Sequence, residues 1–303
     1  MTKNLNIDPI NTWIKNSSDP LIISGPCSAE TYDQLYETCK QLKSNGINLM
    51  RAGVWKPRTR PGTFEGNGEE ALKWISDIKK ELNVQFTVEV ANTTHIDLAL
   101  KYGIDVLWIG ARTTVNPFSV QEIADAIKGT DTPILIKNPI NPDLSLWMGA
   151  LERVNKVGIN KIGAIHRGFS ITGDSKYRYA PMWKIAIDLK SNIPNLPVIC
   201  DPSHICGNRD MIFETSQKAL DLGYDGLIIE SHIDPDNAWS DAKQQVTPAN
   251  LLKIKNDLKV KNTKEKDRSY KHLLEEIREN IDDVDKEIID IIAKRISLVE
   301  KIG

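Results

Sequence analysis

The sequence predicts an α/β protein: a (β/α)8 TIM barrel followed by a linker and one long helix. Three observations carry this prediction, namely eight short apolar runs, a longer stretch with helical spacing after each run, and glycines where several of these stretches end. Strands that are apolar on both faces are typical of parallel sheets covered by helices, so eight alternations favour a closed barrel. An open doubly wound sheet is the alternative, but the chain has no G-x-G-x-x-G motif.

The predicted elements follow one another in a regular order. The strands are expected at 21–24, 47–50, 84–88, 106–109, 134–136, 162–165, 198–200 and 227–229. The helices are expected at about 30–45, 68–82, 93–102, 118–128, 143–157, 181–192, 208–222 and 247–258. The glycines expected to cap helices in the left-handed conformation are Gly46, Gly103, Gly129, Gly158 and Gly223.

Composition places the chain among ordinary globular proteins. Of its 303 residues, 40% are apolar and 26% are charged, and the formal net charge is −2. This balance predicts no general attraction to nucleic acid or a membrane, and no apolar run approaches the roughly 20 residues needed to span a bilayer. The four cysteines form no C-x-x-C pair and no signal-peptide pattern precedes them, so we expect a cytoplasmic protein with free thiols.

The pattern divides the chain into four segments: an N-terminal arm at 1–19, the barrel at 20–258, a linker at 259–270 and a helix at 271–303. The linker is charged and lacks glycine and apolar periodicity; it could bind an acidic partner, but interspersed acids favour a solvated connector. The helix has a coiled-coil-like seam that we expect to pack on a partner or on the barrel. The seam comprises Leu274, Ile277, Ile281, Val284, Ile288, Ile291, Arg295, Leu298 and Ile302.

Polar residues follow the apolar runs, and a barrel gathers such residues at the C-terminal mouth of its strands. The run at 196–200, for example, delivers Asp201 and His204. Six cations occupy such positions in a chain without net positive charge: Arg51, Lys56, Arg58, Arg112, Lys137 and Arg167. Guanidinium and ammonium groups bind phosphate and carboxylate oxygens. We therefore expect a pocket for two phosphorylated substrates, or for a phosphate-and-carboxylate compound together with another phosphate.

A second set of residues predicts a metal site. Cys27, His204, Glu230 and Asp241 follow the first, seventh and eighth runs, which adjoin in a closed barrel. A lone cysteine is usually a core residue, but one flanked by proline and serine at a strand end is not placed for the core. One thiolate, one imidazole and two carboxylates suit a single divalent transition metal (Mn, Fe, Co or Zn), acting as a Lewis acid on a substrate carbonyl, and the thiolate argues against magnesium.

Six motifs carry a family resemblance that covers about residues 20–250. They are GPCSAE at 25–30, RAGVWKPRT at 51–59, GAR at 110–112, DPSH at 201–204, IIESH at 228–232 and SDAKQQVTP at 240–248. In this order they resemble the metal-dependent 3-deoxy-D-arabino-heptulosonate 7-phosphate (DAHP) synthases, in particular the shorter subfamily. The resemblance implies a transferase that condenses phosphoenolpyruvate with erythrose 4-phosphate and releases phosphate, the first step of the shikimate pathway towards chorismate and the aromatic amino acids.

The resemblance also implies roles for individual residues. The metal ligands would be Cys27, His204, Glu230 and Asp241, and the catalytic residues would be Lys56, Glu89 and His204. Arg51 and Lys56 would face the phosphoenolpyruvate carboxylate with Glu89 nearby. Its phosphate would be held by Arg112, Lys137 and Arg167, next to Ala111, whereas Arg58 and Thr59 would bind the aldose phosphate.

Two other functions are considered. The related 3-deoxy-octulosonate 8-phosphate synthases share the barrel and the phosphoenolpyruvate site, but they resemble K-A-N-R where this chain has KPRT at 56–59. That difference favours the four-carbon aldose. The stretch at 167–174 departs from the pattern of either group. A non-catalytic phosphosugar-binding barrel is the other alternative, and the complete set of metal-ligating residues argues against it.

The C-terminal helix has a resemblance of its own. Residues 273–303 look like the first helix of the all-helical chorismate mutases, in which Arg278 and Arg295 would bind a dicarboxylate from the two protomers of a dimer. An arginine on an apolar seam costs stability unless an anion pairs with it. The alternative is a plain dimerisation coiled coil with Arg295 reaching its edge. The other mutase helices are not among these 303 residues, so we expect mutase activity only in the complete protein. We also expect a homo-oligomer that dimerises partly through this helix.

Overall fold

The computed structural model describes residues 5–15, 18–56, 62–260 and 263–300. Residues 58 and 59, expected to bind the aldose phosphate, lie outside the described residues. The chain divides into two compact units, one formed by Met1–Leu220 with Tyr224–Lys259 and the other by Asp221–Gly223 with Val260–Gly303. The first unit contains the barrel and is described first.

Eight parallel strands close into a barrel in the order of the sequence, as predicted. They are β1 (Leu21–Gly25), β2 (Leu49–Arg51), β3 (Gln85–Val90), β4 (Val106–Ile109), β5 (Ile134–Lys137), β6 (Ile162–His166), β7 (Val198–Cys200) and β8 (Gly226–Glu230). Strand β1 pairs with β8 through five residue pairs, from Leu21 with Gly226 to Gly25 with Glu230, which closes the barrel. That pairing brings the ends of the first and eighth strands together.

Helices lie between the strands. They are α1 (Tyr32–Ser44), α2 (Glu69–Leu82), α3 (Thr93–Lys101), α4 (Ala111–Thr114), α5 (Pro117–Ile127), α6 (Leu144–Lys156), α7 (Trp183–Asn192), α8 (Pro202–Cys206), α9 (Ile212–Asp221), α10 (Pro248–Asp257) and α11 (Thr263–Glu300). Side-chain oxygens accept a hydrogen bond from a first-turn N–H at six of their starts: Thr31, Asn92, Asn116, Asp143, Asp201 and Thr247. The five glycines expected to cap helices all have positive φ.

The short helices α4 and α8 follow β4 and β7 directly, and neither was expected from the sequence. Helix α8 carries His204 in its first turn, and the Asp201 carboxylate accepts the His204 backbone N–H at 3.1 Å. A helix of four or five residues is too short to show an apolar period, which explains why the pattern missed both. Their effect is to hold site residues on rigid backbone rather than on loops.

The N-terminal arm contributes to the core of the barrel. Trp13 and Ile14 belong to the same buried apolar cluster as Ile23, Trp108 and other strand residues. The Trp13 Nε1 donates to the Asp8 carbonyl oxygen at 3.2 Å, and Lys15 N donates to Gln85 Oε1 at 2.8 Å. The arm therefore packs at the start of the strands, away from the mouth where the polar residues gather.

The second unit contains the long helix α11, which begins at Thr263 within the segment expected as a linker. Several apolar side chains of its predicted seam are about half exposed, for example Ile281 at 50% and Leu298 at 53%. Among the helices described, none combines the length and apolar character that a bilayer crossing requires.

Candidate active site

A polar cavity opens at the C-terminal mouth of the barrel. Its lining includes most of the residues predicted from the strand ends, together with three that were not predicted. The lining residues are Lys56, Glu89, Ala111, Arg112, Lys137, Ile140, Arg167, Arg178, Tyr179, His204 and Asp241. Four of the predicted cations thus surround one space, which is what an anionic ligand requires.

Two of these cations are buried. Lys137, the last residue of β5, places its Nζ 3.2 Å from Asp201 Oδ2. Arg167 lies with its guanidinium carbon 3.6 Å from the centre of the Tyr179 ring. The Nη1 atom of Arg167 is buried and has no hydrogen-bond partner among the described residues. A buried, unpaired guanidinium N–H is costly, so this atom is suited to an anion bound in the cavity.

The predicted metal ligands converge on one side of the cavity. The Cys27 thiol and the Glu230 and Asp241 carboxylates each place a ligand atom within 4.8 Å of the others. Cys27 Sγ lies 3.4 Å from Asp241 Oδ2. His204 Nε2 lies 3.9 Å from Glu230 Oε1, at the edge of this group. Three of the four predicted ligands therefore form one cluster, and His204 lies beside it, next to Glu230.

The orientation of His204 fits a metal ligand. Its Nδ1 lies 3.0 Å from Asp201 Oδ1, and the pKa of Asp201 is held far below its usual range because the His204 ring and Lys137 outweigh the effect of burial. Burial lowers the pKa of His204, and the neighbouring Asp201 carboxylate opposes this shift. A neutral ring that donates Nδ1–H to a carboxylate leaves the Nε2 lone pair for a metal.

The pKa values of the carboxylates and of the thiol are shifted in opposite directions. Burial opposes ionisation of Glu230, but Arg51 lowers the pKa of its carboxyl, with Arg51 Nη1 3.0 Å from Glu230 Oε1. Burial raises the pKa of the Cys27 thiol to about 12, and Glu230 adds to this while Lys56 opposes it. A soft sulfur ligand with one imidazole and two carboxylates fits Mn, Fe, Co or Zn, and a bound metal would displace the thiol proton.

Arg51 occupies a different place from the other predicted cations. It is buried, its Nη2 donates to the Cys27 carbonyl oxygen at 3.1 Å, and its guanidinium lies 5.2 Å from the Trp108 ring centre. It is not among the residues that line the cavity. Arg51 therefore contacts the two predicted ligands Cys27 and Glu230 without lining the cavity.

Glu89 lines the cavity in a fixed orientation. Its Oε2 accepts a hydrogen bond from Trp108 Nε1 at 2.8 Å. A Cβ atom on Gly110 would lie 2.2 Å from Glu89 Oε1, so a larger residue at this position of the GAR motif would have to displace the Glu89 carboxylate. The GAR motif thus places Arg112 in the cavity wall, and its Gly110 leaves space for the Glu89 carboxylate.

Sequence reasoning missed Arg178, Tyr179 and Gln244. Arg178 Nη1 donates to Asp241 Oδ1 at 3.0 Å and to Gln244 Oε1 at 2.7 Å. The first two residues lie in a long segment between β6 and α7 that has no apolar period. The alternation of aromatic and cationic residues at 177–179 was the available signal, and Gln244 lies inside a motif already singled out.

Fold and site together define a (β/α)8-barrel protein with a cavity lined by cations beside a cluster of side chains that could hold a metal ion. The model of the DAHP synthetase I family matches residues 5–266, and the chain belongs to this family.

Individual relatives agree with this assignment. The phospho-2-dehydro-3-deoxyheptonate aldolase of Thermotoga maritima is 30% identical over 225 residues, which is 74% of this chain and 64% of that protein. The chain thus spans less than two thirds of that relative's length. The 2-dehydro-3-deoxyphosphooctonate aldolase of Brucella ovis is 27% identical over 278 residues, 84% of this chain and 96% of that protein.

Solved structures show the same fold. The crystal structure of the Thermotoga maritima phospho-2-dehydro-3-deoxyheptonate aldolase (DAHP synthase) matches with a TM-score of 0.71 at 27% identity, covering 78% of this chain and 67% of that one. A truncated form of the 3-deoxy-D-arabino-heptulosonate 7-phosphate synthase from the same organism has a TM-score of 0.68 at 24% identity, covering 78% and 84%. The second match bears on the fold alone.

Proposed function

We propose that this protein is a metal-dependent DAHP synthase of the short subfamily, which condenses phosphoenolpyruvate with erythrose 4-phosphate and releases phosphate. The observation that carries the proposal is the cavity itself: cations line it beside Cys27, His204, Glu230 and Asp241, in a chain of the DAHP synthetase I family. An anion pocket next to a Lewis-acid site is what joining a phosphorylated enol to a phosphorylated aldehyde needs.

We assign the phosphate of phosphoenolpyruvate to Arg167, Lys137 and Arg112. Arg167 offers a buried N–H without a protein partner, and Lys137 adds a compact charge. Lys56 is assigned to the carboxylate, with Arg51 supporting the site from below through Glu230. Arg58 and Thr59 are assigned to the aldose phosphate on the sequence resemblance alone. Holding both anions in one cavity converts an encounter of two like-charged molecules into an intramolecular step.

The reaction forms one carbon–carbon bond at C3 and one carbon–oxygen bond from water at C2, and it breaks the carbon–oxygen bond between C2 and the phosphate. The C3 atom of phosphoenolpyruvate attacks the aldehyde carbon, water adds at C2, and the C2–O bond then breaks to release phosphate. Cys27, His204, Glu230 and Asp241 would hold a divalent metal, which would supply Lewis acidity towards the aldehyde. Glu89, fixed by Trp108, is assigned to orient the water, and Lys56 and Arg167 stabilise the anionic groups.

The test is phosphate release by metal-stripped protein, with and without added Mn²⁺, from phosphoenolpyruvate plus erythrose 4-phosphate. Arabinose 5-phosphate replaces erythrose 4-phosphate in a parallel assay. We expect release with erythrose 4-phosphate only after Mn²⁺ is added. Activity that survives without metal would contradict the roles given to Cys27 and its partners, and no activity under any condition would favour a non-catalytic phosphosugar-binding barrel.

The octulosonate 8-phosphate synthase reaction is the second candidate, because the Brucella relative of that name aligns over 84% of this chain. The residues that would separate the two aldoses lie at 56–59, of which only Lys56 is described. Our proposal follows the sequence there, which favours the four-carbon aldose. Activity with arabinose 5-phosphate alone would establish the second candidate instead.

We further propose that α11 is one helix of a chorismate-mutase-like unit and that it helps the protein to dimerise. The half-exposed apolar side chains at Ile281, Val284, Ile288 and Leu298 support a packing role. Arg278 and Arg295, both exposed, are assigned to a dicarboxylate. Replacing Ile288 with Asp should lower the oligomeric state measured by light scattering, and an unchanged mass would refute the role in dimerisation.

The proposed setting is the cytoplasm. All four cysteines are free and buried, which suits a reducing compartment. The substrates proposed here are small phosphorylated molecules, and neither nucleic acid nor a membrane is part of the proposal.

A further inference from the structure

The two carboxylates among the proposed metal ligands each have neighbours at both oxygens. Glu230 Oε1 faces Arg51 and His204, at 3.0 and 3.9 Å, whereas Glu230 Oε2 accepts a hydrogen bond from Gln244 Nε2 at 2.6 Å. Asp241 Oδ2 lies 3.4 Å from Cys27 Sγ, whereas Asp241 Oδ1 pairs with Arg178 Nη1 at 3.0 Å. One oxygen of each carboxylate therefore faces the ligand cluster, and the other faces away from it.

Arg178 and Gln244 connect the two outward-facing oxygens. Arg178 Nη1 donates to Gln244 Oε1 at 2.7 Å as well as to Asp241, so one guanidinium group holds Asp241 and orients the Gln244 amide. With its oxygen occupied in this way, the Gln244 amide must present Nε2 to Glu230. The result is a continuous chain of hydrogen bonds from Asp241 through Arg178 and Gln244 to Glu230.

The segment that carries Arg178 is fastened in place. Tyr179 N donates to the Ile205 carbonyl oxygen of α8 at 3.2 Å, and the stem of Arg178 packs so closely on Gly207 that a Cβ there would lie 2.6 Å from the Arg178 Cβ. The same segment presents Tyr179 to the guanidinium of Arg167. Arg178 thus approaches the ligand cluster from backbone attached to the helix that carries His204.

We propose that Arg178, together with Gln244, is a positioning residue for the metal site: the pair fixes the outer oxygens so that the inner oxygens of Asp241 and Glu230 point at one ion. The inference rests on the proposed metal-dependent function. Outer partners of this kind commonly contribute about 10–100-fold to metal affinity. A simple electrostatic effect has the opposite sign, because removing a positive charge beside a cation site would strengthen cation binding.

The experiment measures Co²⁺ affinity of the full chain without substrates, by competition with a chelator, following the thiolate-to-cobalt absorption band. The variants are Arg178→Gln, Arg178→Lys and Gln244→Met. We expect Arg178→Gln and Gln244→Met to weaken Co²⁺ binding by about 10–100-fold and to shift the band. Arg178→Lys keeps the charge but loses the two-way donor geometry, so its affinity should lie between those of wild type and Arg178→Gln.

Arg209→Gln is the matched control. Arg209 Nη2 donates to the Ala242 carbonyl oxygen at 2.7 Å, so it holds the same segment as Arg178 without touching a ligand carboxylate. Its replacement should leave Co²⁺ affinity unchanged. Equal weakening in Arg209→Gln and Arg178→Gln would show that segment stiffness alone is at work, and would overturn the proposal. Unchanged or tighter binding in Arg178→Gln would overturn it as well, provided that circular dichroism shows a folded variant.

The test of Arg178 and the test of the proposed function can fail independently of each other. A wild-type chain that binds Co²⁺ but releases no phosphate from phosphoenolpyruvate and erythrose 4-phosphate would refute the function, while the affinities of the variants would still decide the role of Arg178. A wild-type chain that binds no Co²⁺ would overturn the inference directly. Gln244→Met keeps the test decisive if Arg178→Gln fails to fold, because Gln244 is the other half of the same connection.

Discussion

Lys56 Nζ lies 2.8 Å from Cys27 Sγ and 2.9 Å from the Cys27 carbonyl oxygen. Both residues belong to motifs at the ends of neighbouring strands, β2 and β1, and the contact places a cation between the cavity and the proposed metal ligands. The ammonium group opposes the rise in the Cys27 thiol pKa that burial and Glu230 produce. Lys56 therefore contacts Cys27 and also lines the cavity in which we expect the substrate anion to bind.

Replacing Lys56 with Met should lower kcat by about 100- to 1000-fold, the usual cost of removing one preorganised donor from a catalytic site. The reason is that both the developing anionic charge and the sulfur lose a neighbouring cation. Steady-state kinetics with phosphoenolpyruvate and erythrose 4-phosphate measure the change. Lys73→Met is the control, since Lys73 pairs with Glu70 on the exposed face of α2 and should behave as wild type.

Replacing Cys27 with Ser should remove the thiolate-to-cobalt absorption band and weaken Co²⁺ binding by more than the roughly 10–100-fold typical of an outer partner. A hydroxyl is a harder and less acidic ligand than a thiol. Cys39→Ala is the control, because Cys39 is buried in α1 outside the ligand cluster. It should lose some thermal stability but keep its cobalt spectrum; a spectrum that is intact in Cys27→Ser would count against sulfur ligation.

Replacing Arg167 with Lys should raise the KM for phosphoenolpyruvate about tenfold or more, because lysine keeps the charge but loses the planar fork that binds phosphate at two points. The KM for erythrose 4-phosphate should change less. Arg153→Met provides a comparison: Arg153 Nη1 donates to Gln121 Oε1 at 3.0 Å on the outer helices, away from the cavity. An equal rise in both KM values for Arg167→Lys would argue against a specific phosphate contact.

The fold followed from the sequence because barrel strands are apolar on both faces and the helices have a clear period. The strand positions agree within a few residues at all eight sites, and the barrel closes in sequence order. What the pattern lacks is information on segments of four or five residues, so α4 and α8 were missed although α8 presents His204. Periodicity needs at least two turns before it becomes visible.

The candidate site was predictable only in part, for a physical reason. Residues at strand ends could be assigned to the mouth, but whether a side chain faces the cavity depends on tertiary contacts: Arg51 turns to Glu230, whereas Arg167 faces the cavity. The alternation at 177–179 could have marked Arg178 as a candidate, but its place beside Asp241 depends on the contacts of its segment with α8. Long loops take their path from such contacts rather than from their own sequence.

His166 predicts a pH dependence of stability. Burial lowers its pKa to about 4, and its Nδ1 lies 2.7 Å from the Tyr224 hydroxyl oxygen. Because the folded pKa lies below the unfolded value near 6.5, the unfolded chain binds the proton more tightly. The contribution of neutral His166 to the free energy of unfolding is therefore complete above about pH 6.5 and is lost as the pH falls towards 4.

Between pH 7 and pH 5 the free energy of unfolding should fall by about 2 kcal/mol through His166 alone. Urea unfolding at both pH values measures this change. The variant His166→Gln has no group that titrates in this range, so its stability should depend less on pH even if it is lower throughout. An identical loss in variant and wild type would mean that another group causes the dependence.

The last prediction compares Gly110, which lies against another side chain, with Gly149, which has open space around it. A Cβ on Gly110 would lie 2.2 Å from Glu89 Oε1 and 2.6 Å from its carboxyl carbon, so Gly110→Ala must displace the carboxylate that Trp108 holds. We expect activity to fall by about 100-fold, because a misplacement of about 1 Å in a positioned group can cost that much. Gly149→Ala, in α6, meets nothing within 4 Å and should raise the stability by about 1 kcal/mol without changing activity. Thermal unfolding and phosphate-release rates, measured on both variants, separate the effect on stability from the effect on activity. Normal turnover in Gly110→Ala would show that the orientation of Glu89 does not matter for the reaction.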